Sequence, residues 1–243
     1  LFCPKKPVTP NQAASADCSL IVFLLRRAFV MQSTPVILFD LDGTLTDPKA
    51  GITRSVQYAL ETMGQQVPSE DDLEWVIGPP LRASFLTLVG EQWADEGVRL
   101  YRERFGVTGL FENELIDGIP QLLEQLQADG KRMFVATSKP EVFAVRIIEH
   151  FGLNRFFERV YGSELDGTRV DKRDLLPYIQ SQEGFASHQA VMIGDRKHDV
   201  IGAKSIQVPT IGVRWGYGSD DELKAAGVHR LVDHPSEIAT LTL

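Results

Sequence analysis

The chain predicts an α/β fold: a doubly wound parallel sheet that carries an inserted all-helical subdomain. Three observations predict it. The run Val36-Ile37-Leu38-Phe39 is apolar throughout, as a strand covered on both faces must be. Beyond Asp117, short apolar runs alternate with helical patterns, which is the signature of parallel strands joined by helical crossovers. Between these two regions, from Ala50 to Phe105, the periodicity is helical and no strand signal occurs. The expected division is an N-terminal extension over 1–34, an α/β core formed by 35–48 with 117–243, and a helical insertion over 49–116.

Each element has its own signal. Ile52, Val56, Ala59, Leu60 and Met63 recur on one face, so Ala50 to Met63 reads as an amphipathic helix. Ser69 is placed to cap a helix through Leu73 and Val76, and Gly78-Pro79-Pro80 breaks it. Helices over Leu81–Val89 and Glu91–Phe105 follow. In the core, a helix over Ile119–Ala128 leads to a strand over Arg132–Ala136. Pro140 opens a helix that Gly152 stops. A short strand near Arg159–Tyr161 precedes a helix from about Asp171 to Gln182. The strand Ala190–Ile193, a helix from about Asp199 to Ser205, the strand Thr210–Val213, a helix near Asp221–Ala226 and the strand Arg230–Val232 complete the set.

Composition narrows the function. A hydrophobic content of 43% is enough for a proper core, and the formal charge is −8. An acidic chain is a poor partner for nucleic acid, whose phosphates demand a basic surface. A small anionic substrate remains open to it where local cations supply the field. Residues 1–30 differ from the rest: Lys5, Lys6, Arg26 and Arg27 against Asp17 give +3, and both cysteines, Cys3 and Cys18, lie there. The apolar stretch from Cys18 to Leu25 is too short to span a bilayer, and no clean cleavage site follows it. Met31 reads as the natural start, with 1–30 as upstream sequence of no assigned function. From Met31 on there is no cysteine, hence no disulfide and no thiol nucleophile. A cytoplasmic protein without membrane association is expected, as a monomer or homodimer.

The chemistry concentrates at three strand ends. The first strand runs into Asp40-Leu41-Asp42-Gly43-Thr44, a later one into Thr137-Ser138, and another into Gly194-Asp195 with Asp199 four residues on. Carboxyl ends of parallel strands share one edge of the sheet, so these groups converge in one crevice. Lys172, at the start of a helix, joins them. Several aspartates in one crevice repel one another and call for a cation, and all-oxygen ligation favours Mg²⁺. A hydroxyl from Thr137, a cation from Lys172 and the backbone N–H groups of the Asp-Leu-Asp-Gly loop are what a transferring phosphoryl group needs. Asp199 reads equally as a helix N-cap. The histidines show no metal spacing, and His198 is expected to be exposed.

In order and spacing, DLDGT, TS, K and GDRKHD resemble the haloacid dehalogenase superfamily of phosphohydrolases across 35–240. The resemblance implies an aspartyl-phosphate mechanism with Asp40 as nucleophile and Asp42 as general acid/base. It implies Thr137 and Lys172 as the matched hydroxyl and lysine. Gly43, Thr137, Ser138 and Lys172 are the expected phosphate contacts. Metal ligands would be Asp40, Asp42 through its carbonyl, and Asp195, with Asp199 as a ligand or directly behind one. Dehalogenating members lack the second Asp, so Asp42 implies an ester with an alcohol leaving group. The helical insertion matches the cap that closes over the site in one branch.

Substrate is a separate matter from fold. Ile77-Gly-Pro-Pro-Leu81, Thr137-Ser-Lys-Pro140, Gly162-Ser-Glu-Leu-Asp-Gly-Thr-Arg169 and Gly216-Tyr-Gly-Ser219 resemble the bacterial 5′-nucleotidase branch, a neighbour of the phosphoglycolate phosphatases. The expected partner is a small phosphorylated metabolite, a nucleoside monophosphate first, with Gly78, Pro79 and Arg82 as candidates for contacting the nucleoside. The Gly-Pro-Pro loop reads equally as a plain helix break. Phosphoglycolate phosphatase, a sugar-phosphate phosphatase or mutase, and a catalytically silent regulator on the same fold are the alternatives.

Overall fold

The computed structural model describes residues 35–240; the expectations for 1–34 lie outside the described residues. Six parallel strands form the sheet. They are β1 (Val36–Phe39), β4 (Arg132–Pro140), β5 (Arg159–Ser163), β6 (Ala190–Gly194), β7 (Thr210–Val213) and β8 (Arg230–Val232). Their spatial order is β5-β4-β1-β6-β7-β8, so the chain winds outward in both directions from β1. The unbroken apolar character of β1 follows from this central place. Ile37 and Phe39 pack into one cluster with Leu122, Leu123 and Ile147. Val36 and Leu38 pack into the cluster on the other face with Leu175, Leu176 and Ile179. Each such fully buried side chain contributes about 1.5–3 kcal/mol through burial alone.

The crossover helices supply those partners. On the first face lie α4 (Ile119–Ala128) and α5 (Glu141–His150); on the second lie α6 (Lys172–Glu183) and α7 (Lys197–Ser205). The later elements α8 (Asp220–Ala226) and α9 (Pro235–Ala239) complete the core. Asp171 caps α6 by accepting the Arg173 N–H at 2.8 Å, which fixes where Lys172 leaves the helix.

The cap consists of α1 (Lys49–Thr62), α2 (Leu81–Val89) and α3 (Glu91–Phe105), with 3₁₀ turns over Asp71–Val76 and Gly109–Phe111. The segment expected as a helix after Ser69 is therefore 3₁₀, and its N-cap is Glu70 rather than Ser69; the Ser69 Oγ accepts the Asp72 N–H at 3.2 Å from one residue further back. Where the chain passes between core and cap, β2 (Thr46–Asp47) and β3 (Glu114–Leu115) pair as a short antiparallel ribbon. Strands of two residues carry no periodicity, so the sequence predicts none there.

Cap and core meet through specific contacts. Phe105 of α3 sits edge-on to Phe143 of α5, centroids 5.5 Å apart. Arg146 donates to the Gly106 carbonyl at 2.7 Å, and Arg196 donates to the Ile77 carbonyl. Among the described residues no helix is long and apolar enough to cross a membrane.

Candidate active site

Register assembles the site. Phe39 pairs with Val135 on one side and Ile193 on the other, and the Asp40 N–H donates to the Ile193 carbonyl at 2.9 Å. Asp40, Thr137 and Asp195 therefore lie along the same edge of the sheet, one or two residues past these pairs. α6 and α7 bring Lys172 and Asp199 to the same place.

One carboxylate oxygen from each of Asp40, Asp195 and Asp199 lies within 4.8 Å of the others, and all three residues are buried. Lys172, its side chain 2% exposed, has its Nζ 2.9 Å from Asp40 Oδ1 and pairs also with Asp199. Burial lowers the Lys172 pKa, but Asp199 and Asp40 outweigh it and hold the ammonium above its ordinary value. Burial, reinforced by Asp199 and Asp40, pushes the Asp195 carboxyl well above the carboxylate range. Burial likewise raises Asp199 to about 6 against the opposing pull of Lys172. One lysine thus falls short of neutralising three buried carboxylates. An all-oxygen set with surplus negative charge fits a hard divalent cation.

Small neighbours make the close packing possible. Gly43 has φ +78°, and a Cβ there would stand 2.4 Å from Asp195 Oδ2. A Cβ on Gly194 would stand 2.2 Å from Asp199 Cγ. The Asp195 carboxylate is then fixed by the Tyr217 N–H, 2.8 Å from Oδ2, with the Thr44 hydroxyl 3.5 Å from Oδ1.

Several expectations are corrected here. The Gly43 N–H is taken up within its own turn, donating to Thr46 O at 2.7 Å, so Gly43 serves by yielding space rather than by offering its N–H to phosphate. Asp199 is not the N-cap of α7, which begins at Lys197. Its Oδ2 accepts the Arg196 N–H at 2.9 Å while Oδ1 meets Lys172. His198 is half-buried rather than exposed. Burial, with Arg196 and Lys197 next, lowers its imidazole pKa.

Asp42 stands apart from the three-carboxylate cluster. Its Oδ2 lies 2.9 Å from the Nζ of Lys139, whose side chain is 5% exposed. Burial raises the Asp42 carboxyl, and Lys139 opposes the shift. Lys139 also places its ammonium 4.5 Å from the centroid of the Phe105 ring, on the cap. Lys139 stands within the Thr137-Ser-Lys-Pro140 segment, where its local pattern gives it no place in the site.

A cavity opens over this edge. Asp40, Asp42, Thr137, Ser138 and Lys139 form its floor. Gly78, Pro79, Pro80, Tyr101, Arg102 and Phe105 of the cap, with Phe143 of the core, form its walls. The Thr137 hydroxyl accepts the Lys139 N–H at 3.2 Å, and the Ser138 carbonyl accepts from Ser163 Oγ at 2.9 Å. Gly78 and Pro79 thus line the cavity, whereas Arg82 does not. It is exposed, its guanidinium bound by Asp95 at 2.7 Å and Glu91 at 2.7 Å. The cap arginine that faces the cavity is Arg102.

A parallel sheet with a carboxylate cluster at its carboxyl edge and a helical cap above defines a capped α/β hydrolase of phosphate esters. Residues 37–213 match the family described as haloacid dehalogenase-like hydrolase, and the chain belongs to that family. It is 52% identical over 209 residues to a 5′-nucleotidase of Pseudomonas aeruginosa, covering 85% of this chain and 93% of that one. It is 40% identical over 216 residues to the tyrosine-protein kinase PtkA of Mycobacterium tuberculosis, covering 88% and 74%. A crystal structure of a predicted phosphatase from Clostridium acetobutylicum superposes with a TM-score of 0.82 at 43% identity, over 85% of this chain and 97% of that one.

Proposed function

We propose that this chain is a Mg²⁺-dependent phosphomonoesterase that works through an aspartyl phosphate on Asp40, and that its substrates are nucleoside 5′-monophosphates. The observation that carries the chemistry is the separation of two carboxylates two residues apart. Asp40 belongs to the buried acidic cluster, and Asp42 faces the cavity beside Lys139. The nucleotide reading is supported by near full-length similarity to a 5′-nucleotidase and by a cavity with aromatic walls.

In the first step an Asp40 oxygen attacks phosphorus and the bond to the ester oxygen breaks. Asp42, its carboxyl raised by burial, gives its proton to the departing alkoxide. In the second step Asp42 takes a proton from water, the water oxygen attacks phosphorus, and the Asp40–phosphorus bond breaks to release inorganic phosphate. Lys172 balances charge at Asp40 while the phosphoryl group moves. Thr137 and Ser138 lie at the same strand end to receive its oxygens. Asp40, Asp195 and Asp199 would hold the Mg²⁺, which when bound neutralises charge on the phosphoryl oxygens.

Phosphate release across nucleoside monophosphates, phosphoglycolate and sugar phosphates, with and without Mg²⁺, tests the proposal. Nucleotides are expected to lead the panel. A kcat/KM for phosphoglycolate orders of magnitude above every nucleotide would refute the nucleotidase reading. The kinase named among the relatives makes a second arm worthwhile: label recovered on protein or as isomerised sugar phosphate, instead of as free phosphate, would refute hydrolysis.

A further inference from the structure

Arg102 is the cap cation without a counterpart. The other arginines of the cap, Arg54, Arg82, Arg99 and Arg104, each have a carboxylate within 3.4 Å. Arg102 has none among the described residues, and its Nε is shut off from solvent with no acceptor. The side chain lines the cavity. In a strongly acidic chain a guanidinium finds a carboxylate wherever geometry allows, and leaving one partly desolvated and unpaired costs free energy. An acceptor that arrives with the substrate would offset that cost.

The position decides which part of the substrate. Asp40, Thr137 and Lys172 gather at the strand ends, so the phosphoryl group belongs there. Arg102 projects from α3, in the cap, and so addresses the leaving group. The same cavity is lined by Pro79, Pro80 and Phe143, together with Tyr101 and Phe105, whose rings are buried and stacked on each other. Phe143 is only half-buried, so part of its ring remains accessible. An apolar lining with a partly accessible aromatic ring and one fork of N–H donors suits a planar ring that presents adjacent acceptors.

We propose that Arg102 is the specificity-determining residue for the base, selecting 6-oxopurine nucleotides by donating to the O6 and N7 edge. This rests on the nucleotidase reading above. A guanidinium matches two neighbouring acceptors on guanine or hypoxanthine. Adenine turns an amine donor toward the same fork and leaves an N–H unpaired, the kind of mismatch that polar sites reject strongly.

The test is the ratio of kcat/KM for GMP and IMP against AMP, measured in wild type, Arg102→Met and Arg102→Gln. Ratios taken within one preparation cancel any loss of folded enzyme, and the second variant serves if the first does not fold. Wild type should favour the oxopurines by roughly 5-fold to 100-fold, and both variants should bring the ratio close to one. Competitive inhibition by guanosine over adenosine should collapse in parallel. A wild-type ratio near one, or a ratio unchanged in the variants, would overturn the assignment while leaving the nucleotidase reading intact. Turnover of phosphoglycolate with none of any nucleotide would overturn both.

Discussion

Asp40 and Asp42 are two residues apart yet live in different electrostatic surroundings. One shares a buried cluster with Asp195, Asp199 and Lys172, and the other pairs with Lys139 at the cavity floor. That difference assigns their roles and yields two expectations. Asp40→Asn should reduce turnover more than about a thousandfold, a loss above roughly 4 kcal/mol of transition-state stabilisation, with the thermal melt preserved. Retained phosphate release would exclude the covalent route. Lys139→Met should lower kcat on nucleotides by roughly tenfold, through misplacement of Asp42. The loss should shrink on p-nitrophenyl phosphate, whose leaving group needs little protonation. Equal losses on both would mean that Lys139 serves only packing or phosphate contact. The acidic residues were legible because Asp-Leu-Asp-Gly-Thr and Gly-Asp each follow an apolar run. Lys139 and Arg102 were not, because a lysine or arginine in a local pattern is ordinary and only the folded cavity reveals what it lacks or touches. Arg82 misled for the same reason: nothing local discloses that Asp95 and Glu91 hold it.

At the scale of elements, the order of strands and helices in the core followed from apolar runs and their punctuation. The unalternating Val36–Phe39 implied burial on both faces, and the two clusters of the core supply it. The shortest elements were not legible. β2 and β3 have two residues each, too few for a period-2 signal. β4 continues to Pro140 through an irregularity after Ala136, so Thr137 belongs to the strand rather than to the loop after it. The junction of β6 and α7 gives a test of its own. Gly194 has the Asp199 carboxylate packed on its Cα, with no room for a methyl group. Gly194→Ala should destabilise the protein by about 1–3 kcal/mol, as overpacking does, and displace one corner of the acidic cluster. Denaturant midpoints together with the Mg²⁺ concentration for half-maximal activity would register both effects. A variant with unchanged metal dependence would show that Asp199 tolerates the shift.

For the molecule as a whole, the acidic cluster ties stability to proton and metal concentration. The folded carboxyls of Asp195 and Asp199 bind protons more tightly than in the unfolded chain. Between the unfolded value near 4 and the folded value of about 6 for Asp199, the native state holds more protons, so stability falls as pH rises through that window. Mg²⁺ competes with those protons and stabilises by mass action. Added Mg²⁺ should therefore raise Tm more at pH 8 than at pH 5, by scanning calorimetry; an equal or reversed difference would contradict the cluster as the metal site. The central position of β1 has a different consequence, one of timing. Among the described residues it is the first strand of the sheet to be made, and its partners begin only at Arg132 and Ala190. Until both have been synthesised, a strand of four apolar residues has two open hydrogen-bonding edges, the arrangement most prone to wrong pairing. Pairings this distant in sequence are also slow to form. Nascent chains that stop short of residue 190 should thus stay bound to the chaperones that shield such edges, and productive folding should begin late, after most of the polypeptide has been synthesised.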